Sequence, residues 1–319
     1  MARRRFKTVR DLLAVMDADE AIEGLDLTPF SDLIDSDLAE VEARWPDWPV
    51  RLRRALLEEV GDIAEDDFRV NFDALSRLGL DDPDAEVRAT AISNLWESED
   101  ADLIPLFIQL MQNDPEAPVR AEAAKGLGHF VYLGECDELL PARARRVEDA
   151  LLAVLAGVDD LEVRRRALES VAYSGRPEII PIIEAAYRAP DEAMRASAIF
   201  AMGRNLDERW AAPVLAELRS DRPEFRYEAA RAAGELELAG AVGALAELTH
   251  DDDLETQMAA IWSLGQIGGE QAQTALRRRW RTAAGDLREL IDDALANAEL
   301  ENLGPAIPGL EDEAGAKDN

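Results

Sequence analysis

Cysteine and histidine are nearly absent from this chain: Cys136, His129 and His250 are the only ones in 319 residues. A single thiol cannot close an internal disulfide, and three such side chains fall short of an ordinary four-ligand zinc site. A reducing, cytoplasmic setting with no metal and no cofactor is the expectation. Aromatics are scarce at 6%, and so is positive charge, with 35 Lys and Arg against 67 Asp and Glu for a net charge of -32. That field repels phosphate backbones and anionic bilayers, so neither nucleic acid nor membrane is an expected partner. Long apolar runs are missing too. The longest, Leu103 to Met111, spans about nine residues, whereas a bilayer needs roughly 20. The start, Arg3-Arg4-Arg5-Phe6-Lys7, runs into Asp11, Asp17, Asp19 and Glu20 instead of an apolar leader core, and reads as an exposed basic end. No Gly-rich phosphate loop or catalytic-triad spacing is present.

What the chain has in quantity is Ala, Leu and Glu, a balance that favours helix. It also has a stretch that recurs. The cleanest copy runs from Asp191 to Gly203: an acid-bearing turn, an apolar residue, Arg, then small and apolar residues three and four apart. This describes a capped helix. The Arg stands at Arg164, Arg195, Arg226 and Arg288, in steps of 31, 31 and 62, with Gln257 at the missing midpoint. Arg88 and Arg120 extend the series, 32 apart. A period of that size with two helical patterns per unit is the signature of a helical solenoid.

Three regions follow. Residues 1–46 form an acidic helical cap: residues 11–50 hold twelve acids and one Arg, with helical pieces around Leu12 and, after an N-cap at Ser36, around Val41. Trp45-Pro46-Asp47-Trp48-Pro49 ends the second piece, and both Trp are expected to pack against the first open repeat. Residues 47–300 are the repeat array. Its first unit, from Val50-Arg51 to Gly61, is degenerate, with a register ambiguous by a residue or two. Arg120 and Arg164 lie 44 apart, so 13 residues have been added near 129–141, expected as a loop on one face. Residues 301–319 read as a disordered acidic tail.

The pattern Asp-Pro-x-x-x-Val-Arg-x-x-Ala-x-x-x-Leu-Gly resembles the HEAT repeat, in the compact form also found in phycobilin lyases. The resemblance implies an all-α, right-handed solenoid of about eight helix pairs, in which the Val-Arg helix of each pair lines a concave side. The column Arg88, Arg120, Arg164, Arg195, Arg226 and Arg288 is then structural: the repeat Asp caps its helix, and the Arg bonds carbonyls or acids of the neighbouring unit. Gln257 should weaken one rung without losing the helix.

With the Val position taken as zero, positions zero, four and eight share a face and form the core: Val87-Ala91-Leu95, Val119-Ala123-Leu127, Val163-Ala167-Val171, Met194-Ala198-Met202 and Phe225-Ala229-Ala233. Positions two, six and nine point the other way and carry Trp96, Lys125, Phe200, Tyr227, Arg231 and Trp262, with Arg204 and Tyr173 one step aside. Aromatic and Arg side chains are the usual anchors of protein interfaces. The expected function is a non-catalytic scaffold or adaptor, expected as a monomer, that holds a protein or extended peptide through Trp96, Lys125, Phe200, Arg204, Tyr227, Arg231 and Trp262, while Tyr173 packs.

Rival readings are weighed against the same residues. Proteins resembling deoxyhypusine hydroxylase carry His-Glu pairs for di-iron, but His129 and His250 precede Phe130 and Asp251. A lyase-like assembly factor would use Cys136. An acidic mimic or chaperone would attract basic clients by charge. The acid clusters Asp81-Asp82, Asp159-Asp160 and Asp251-Asp252-Asp253 read as helix caps rather than calcium sites.

Overall fold

The computed structural model describes residues 6–19 and 22–301. The basic start at Arg3–Arg5 and the tail from residue 302 onward lie outside the described residues. The chain is an all-α solenoid that divides into two compact units, residues 1–182 and 183–319.

The first unit opens with α1 (Val9–Asp19), a short 3-10 turn at Thr28–Phe30, α2 (Asp35–Arg44) and a second turn at Trp45–Asp47. Then come α3 (Val50–Asp66), α4 (Asp73–Gly79), α5 (Ala85–Asn94), α6 (Leu103–Asn113), α7 (Ala117–Glu135), α8 (Pro141–Ala156) and α9 (Leu161–Val171). Helix α10 (Ile179–Tyr187) spans the division. The second unit continues with α11 (Glu192–Asn205), α12 (Ala211–Glu217), α13 (Pro223–Glu235), α14 (Val242–Leu248), α15 (Leu254–Ile267), α16 (Gly269–Trp280) and α17 (Asp286–Glu301). The Val-Arg helices pack side by side: α3, α5, α7 and α9 in the first unit, α11, α13, α15 and α17 in the second. Counting α3, there are eight of them among the described residues. No described helix is long and apolar enough to cross a membrane.

The core follows the helical period. All fifteen residues assigned to positions zero, four and eight are buried, Val87 through Ala233. Trp45 and Trp48 are buried as well. The Trp45 indole N–H donates to Asp82 at 2.8 Å and that of Trp48 to Asp17 at 2.9 Å, so the amphipathic rings close the first repeat with their polar edges satisfied.

Three local expectations are corrected. Helix α2 starts at Asp35, not after Ser36; Ile34 holds the cap position without a side-chain bond, and Asp35 and Asp37 meet the positive helix end instead. The added residues near 129–141 do not form a loop. They lengthen α7 to 19 residues and α8 to 16, leaving a connection of residues 136–140. Phe130, Val131 and Leu133 extend the buried stripe of α7, so helix continuation buries apolar area that a loop would expose. The register of the first repeat is also settled: Leu52 is buried at position zero and Arg53 is its Arg, two residues beyond Val50-Arg51.

Candidate protein-binding surface

The Arg column and the acids of the turns form interlocked pairs. Arg88 donates from Nε and Nη2 to Asp114 at 2.7 and 2.9 Å, and from Nη1 to the Asp82 carbonyl at 2.8 Å. Arg120 does the same with Asp159 and the Asp114 carbonyl, at 2.7 and 2.9 Å, and Arg226 with Asp251 and the Ser220 carbonyl, at 2.7 and 3.0 Å. Each guanidinium thus ties its own turn to the next. Arg53 reaches Asp82 at 2.7 Å in the same way. Different acids cap the helices: Asp84, Asp160, Asp191 and Asp253 accept from the amides of Val87, Glu162, Met194 and Thr256.

The column is not uniform. Gln257 keeps the carbonyl bond, donating to Asp251 at 2.7 Å, and accepts from Arg279 at 3.2 Å, so a guanidinium from α16 enters the rung. Arg195 approaches Glu217 at 3.6 Å and stacks on Phe225 with its Cζ 4.7 Å from the ring centroid. Arg288 stacks on Trp280 at 3.6 Å. Arg164 has a buried Nε with no hydrogen bond, and the turn before α11 carries Ala189 where those before α5, α7 and α15 carry Asp82, Asp114 and Asp251.

The candidate contact residues fall in both units. In the second, position six runs Phe200, Arg231, Trp262 along α11, α13 and α15, with Tyr227 and Met258 at position two and Arg204 at position ten. The Arg204 Cζ lies 5.2 Å from the Phe200 ring centroid, and the Arg231 Cζ lies 5.9 Å from the rings of both Phe200 and Tyr227. Beneath them Glu235 pairs with Arg204 at 3.2 Å and approaches Arg231 at 3.8 Å. Burial pushes the Glu235 carboxyl above its usual range, against the pull of the two guanidiniums. Phe200, Tyr227 and Trp262 are half-buried, and Met258 is exposed.

In the first unit α7 and α9 carry charge at matching positions, Lys125 at six, Arg165 at two and Glu169 at six, while α5 carries Ala89 and Ser93. Lys125 is exposed and sits 3.5 Å from Glu122. On α9, Arg165 meets Glu162 at 2.6 Å, and Arg166 meets Glu162 and Glu169 at 2.9 Å. Tyr173 packs edge-on against Tyr132 at 5.8 Å.

Trp96 is placed differently from its expected helical angle, because α5 stops at Asn94. Position nine is Gly61, Gly128, Gly203, Gly234 and Gly265 in five other repeats and Ala172 in the α9 repeat; at Gly203 and Gly265 neighbouring helices nearly touch. A Cβ at Gly203 would lie 2.8 Å from the Ala232 Cα, and one at Gly265 3.0 Å from the Ala294 Cα. An indole has no room in such a contact. The chain turns out at Trp96 instead, leaving its ring 55% exposed beside Phe68, which is 95% exposed. Sequence reasoning missed Phe68; its signal was a lone aromatic in the charged loop after Asp66-Asp67. It also missed Glu235 and Arg53.

Cys136 is a free, exposed thiol at the end of α7. Its hydrogen bond to Tyr132 pushes that phenol up. Among the described residues no group of three or more His, Cys, Asp and Glu is placed to hold a metal ion.

A chain of stacked helix pairs tied by Arg–Asp rungs is a helical repeat protein. A family model for HEAT repeats matches residues 73–145, 148–222 and 211–296, well over half of the sequence, and the chain belongs to the HEAT-repeat family. Comparison with curated proteins gives no significant match. Among solved structures the chain is similar to the Escherichia coli protein YibA, with 15% identity over 94% of this chain and 99% of that one and a TM-score of 0.45. It is similar to the complex of CpcE and CpcF of phycocyanin lyase from a Nostoc species, with 17% identity over 71% and 94% and a TM-score of 0.46. Human deoxyhypusine hydroxylase shows 18% identity over 83% and 96%, with a TM-score of 0.37.

Proposed function

We propose that this protein is a cytoplasmic scaffold or adaptor without a reaction of its own, which holds a protein or extended peptide through side chains of its Val-Arg helices. The observation that carries this reading is the row of Phe200, Tyr227 and Trp262 with Arg204 and Arg231 interleaved. Matching positions of α7 and α9 hold surface ion pairs, which suffice for a repeat that only needs solvation. Half-buried rings with guanidiniums stacked on them are instead stiff, amphipathic and already positioned, so they lose little entropy on contact with a partner. Glu235 pairs with Arg204 and approaches Arg231, which holds both guanidiniums beside the rings. Trp96 and Lys125 provide separate contacts in the first unit.

The test is capture from source lysate by the wild type and by a Phe200→Ala/Tyr227→Ala/Trp262→Ala variant, at low and moderate salt, with captured proteins identified by mass spectrometry. The expected result is a client held at moderate salt by the wild type and lost by a variant of unchanged helical content. A client kept by the variant removes the aromatic row from the interface. A client lost from both proteins at moderate salt favours the purely acidic reading, since exposed charges are screened within about 10 Å at 0.1 M salt.

A further inference from the structure

A cavity of about 550 Å3 lies in the first unit between the C-terminal ends of α3 and α5 and the loop before α4. Its origin is the early stop of α5. Where α7, α11, α13 and α15 run past position nine, α5 ends at Asn94, and the absent last turn leaves space over the loop. Phe68 and Trp96 line the cavity and are the two most exposed aromatic rings flanking it, at 95% and 55%. Large exposed apolar side chains gathered at a concavity mark an interaction site, whereas scattered ones do not.

The charge around these rings is of one sign. Glu65, Asp73 and Glu97 line the cavity, and no lining residue is Lys or Arg. Asp73 accepts a bond from the Ser98 hydroxyl at 2.6 Å, while Glu65 and Glu97 have no ion-pair partner among the described residues. Arg69 and Arg77, on the same loop and on α4, pair with Asp67 at 2.7 Å and with Asp100. The C-terminal ends of α3 and α5 add their negative dipole ends to the same space. The turn acids Asp82, Asp114, Asp159 and Asp251 are used in rungs, and Asp84, Asp160, Asp191 and Asp253 in caps.

We propose that this cavity is the docking site for a basic peptide segment carrying one large apolar side chain, seated against Phe68 and Trp96, with flanking Lys or Arg meeting Glu65, Asp73 and Glu97. The acidic rim selects against acidic segments, and the rings select against basic segments that lack an apolar anchor. The proposal shares Trp96 with the scaffold reading but is independent of the aromatic row in the second unit.

The experiment is fluorescence anisotropy of the full chain with fluorescein-labelled nonapeptides at moderate salt. One peptide carries a central Leu between Lys-Arg pairs, one replaces the Leu by Gly, and one replaces the basic residues by Glu. The Leu-centred basic peptide is expected to bind. Phe68→Ala/Trp96→Ala should weaken it at least tenfold, and Glu65→Gln/Glu97→Gln severalfold. All four side chains are exposed, and unchanged circular dichroism checks folding. The Gly-centred peptide should bind at least tenfold more weakly and the acidic one not at all. Absence of binding by the wild type, or equal binding by the Phe68→Ala/Trp96→Ala variant, overturns the proposal. So does self-association of the wild type that this variant abolishes in sedimentation, because a second copy would then be the occupant. The Phe200→Ala/Tyr227→Ala/Trp262→Ala variant should bind the peptide as the wild type does. A client lost by that variant while the peptide arm fails sinks this proposal alone; the reverse pattern sinks only the reading of the second unit.

Discussion

Asp114→Ala tests whether the Arg–Asp rungs hold the stack together. The Arg88 and Asp114 side chains are 11% and 4% exposed and share two bonds, at 2.7 and 2.9 Å. Asp114 also accepts from the Glu116 amide at 2.9 Å, fixing the turn before α7. Removing the carboxylate leaves a buried guanidinium with only the Asp82 carbonyl, and breaking a buried pair from one side costs about 3–5 kcal/mol. The retained carbonyl bond puts the expected loss at the lower end, about 3 kcal/mol. With a urea slope near 3 kcal/mol per molar for a chain of this size, the midpoint should fall by about 1 M in far-ultraviolet circular dichroism at pH 7. Replacing both partners, Arg88→Met/Asp114→Leu, should recover part of the loss, because no buried charge is stranded. The pH dependence has a definite sign. Burial pushes the Asp114 carboxyl up, but the Arg88 bonds and the Glu116 amide outweigh it and hold the group below its ordinary value. Its stabilisation is therefore fully present above the unfolded value of about 4 and is lost as pH falls through the lower folded value. The difference between wild type and Asp114→Ala should shrink in that acid range. A loss under about 1 kcal/mol at pH 7, the size of an exposed pair, would refute the view that the rungs tie the repeats.

Gly265→Leu should destabilise by about 1–3 kcal/mol, since its Cβ would meet Ala294 backbone at 3.0 Å, whereas Gly243→Ala, with nothing within 4 Å, should gain about 0.5–1 kcal/mol; paired urea curves read both. Burial and the bond to Glu217 push the Tyr187 phenol up to about 12, so an ultraviolet titration of the four tyrosines should stay incomplete at pH 11, with Tyr187 undissociated. Full dissociation of all four by pH 11 would place Tyr187 in water. Cys136 should react with an aromatic disulfide reagent without denaturant, one thiol per chain, and resistance to the reagent would show the end of α7 to be covered.

What could be read in advance was whatever repeats. The Val, Ala and Leu of positions zero, four and eight are buried because a helix presents them on one side in every unit, and repetition makes that side visible. The capping Asp residues are legible for the same reason. Departures from the repeat were harder. The long connection between Arg120 and Arg164 looked like a loop because an interval says nothing of conformation; only the buried run Phe130, Val131 and Leu133 marks it as helix. Arg53 was missed because Leu52-Arg53 lies next to another Val-Arg-like pair, Val50-Arg51, and only the Asp82 contact separates them. For Trp96 the residue was seen and its placement was not. An angle of 100° per residue holds only while the helix lasts, and α5 ends at Asn94, two residues before Trp96.

The acidity and the scarcity of aromatics are connected through these contacts. Most Arg residues of the repeat are consumed within the stack, in rungs such as Arg88–Asp114 and Arg226–Asp251 or over rings as with Arg195 and Arg288. Each rung removes one acid as well, so 67 acids against 35 Lys and Arg leave a large excess of carboxylates outside any pair. Such an excess attracts every basic chain alike, and its reach is cut by salt. It can raise encounter rates but cannot choose a partner. Choice would require contacts of fixed shape, and the rings proposed to make them are Phe68 and Trp96, exposed in the first unit, and Phe200, Tyr227 and Trp262, half-buried in the second. With aromatics at 6%, holding Phe68 and Trp96 at solvent withholds them from the core, where each would have stabilised the fold by burial. In the proposed reading, charge supplies the approach and the rings the selection.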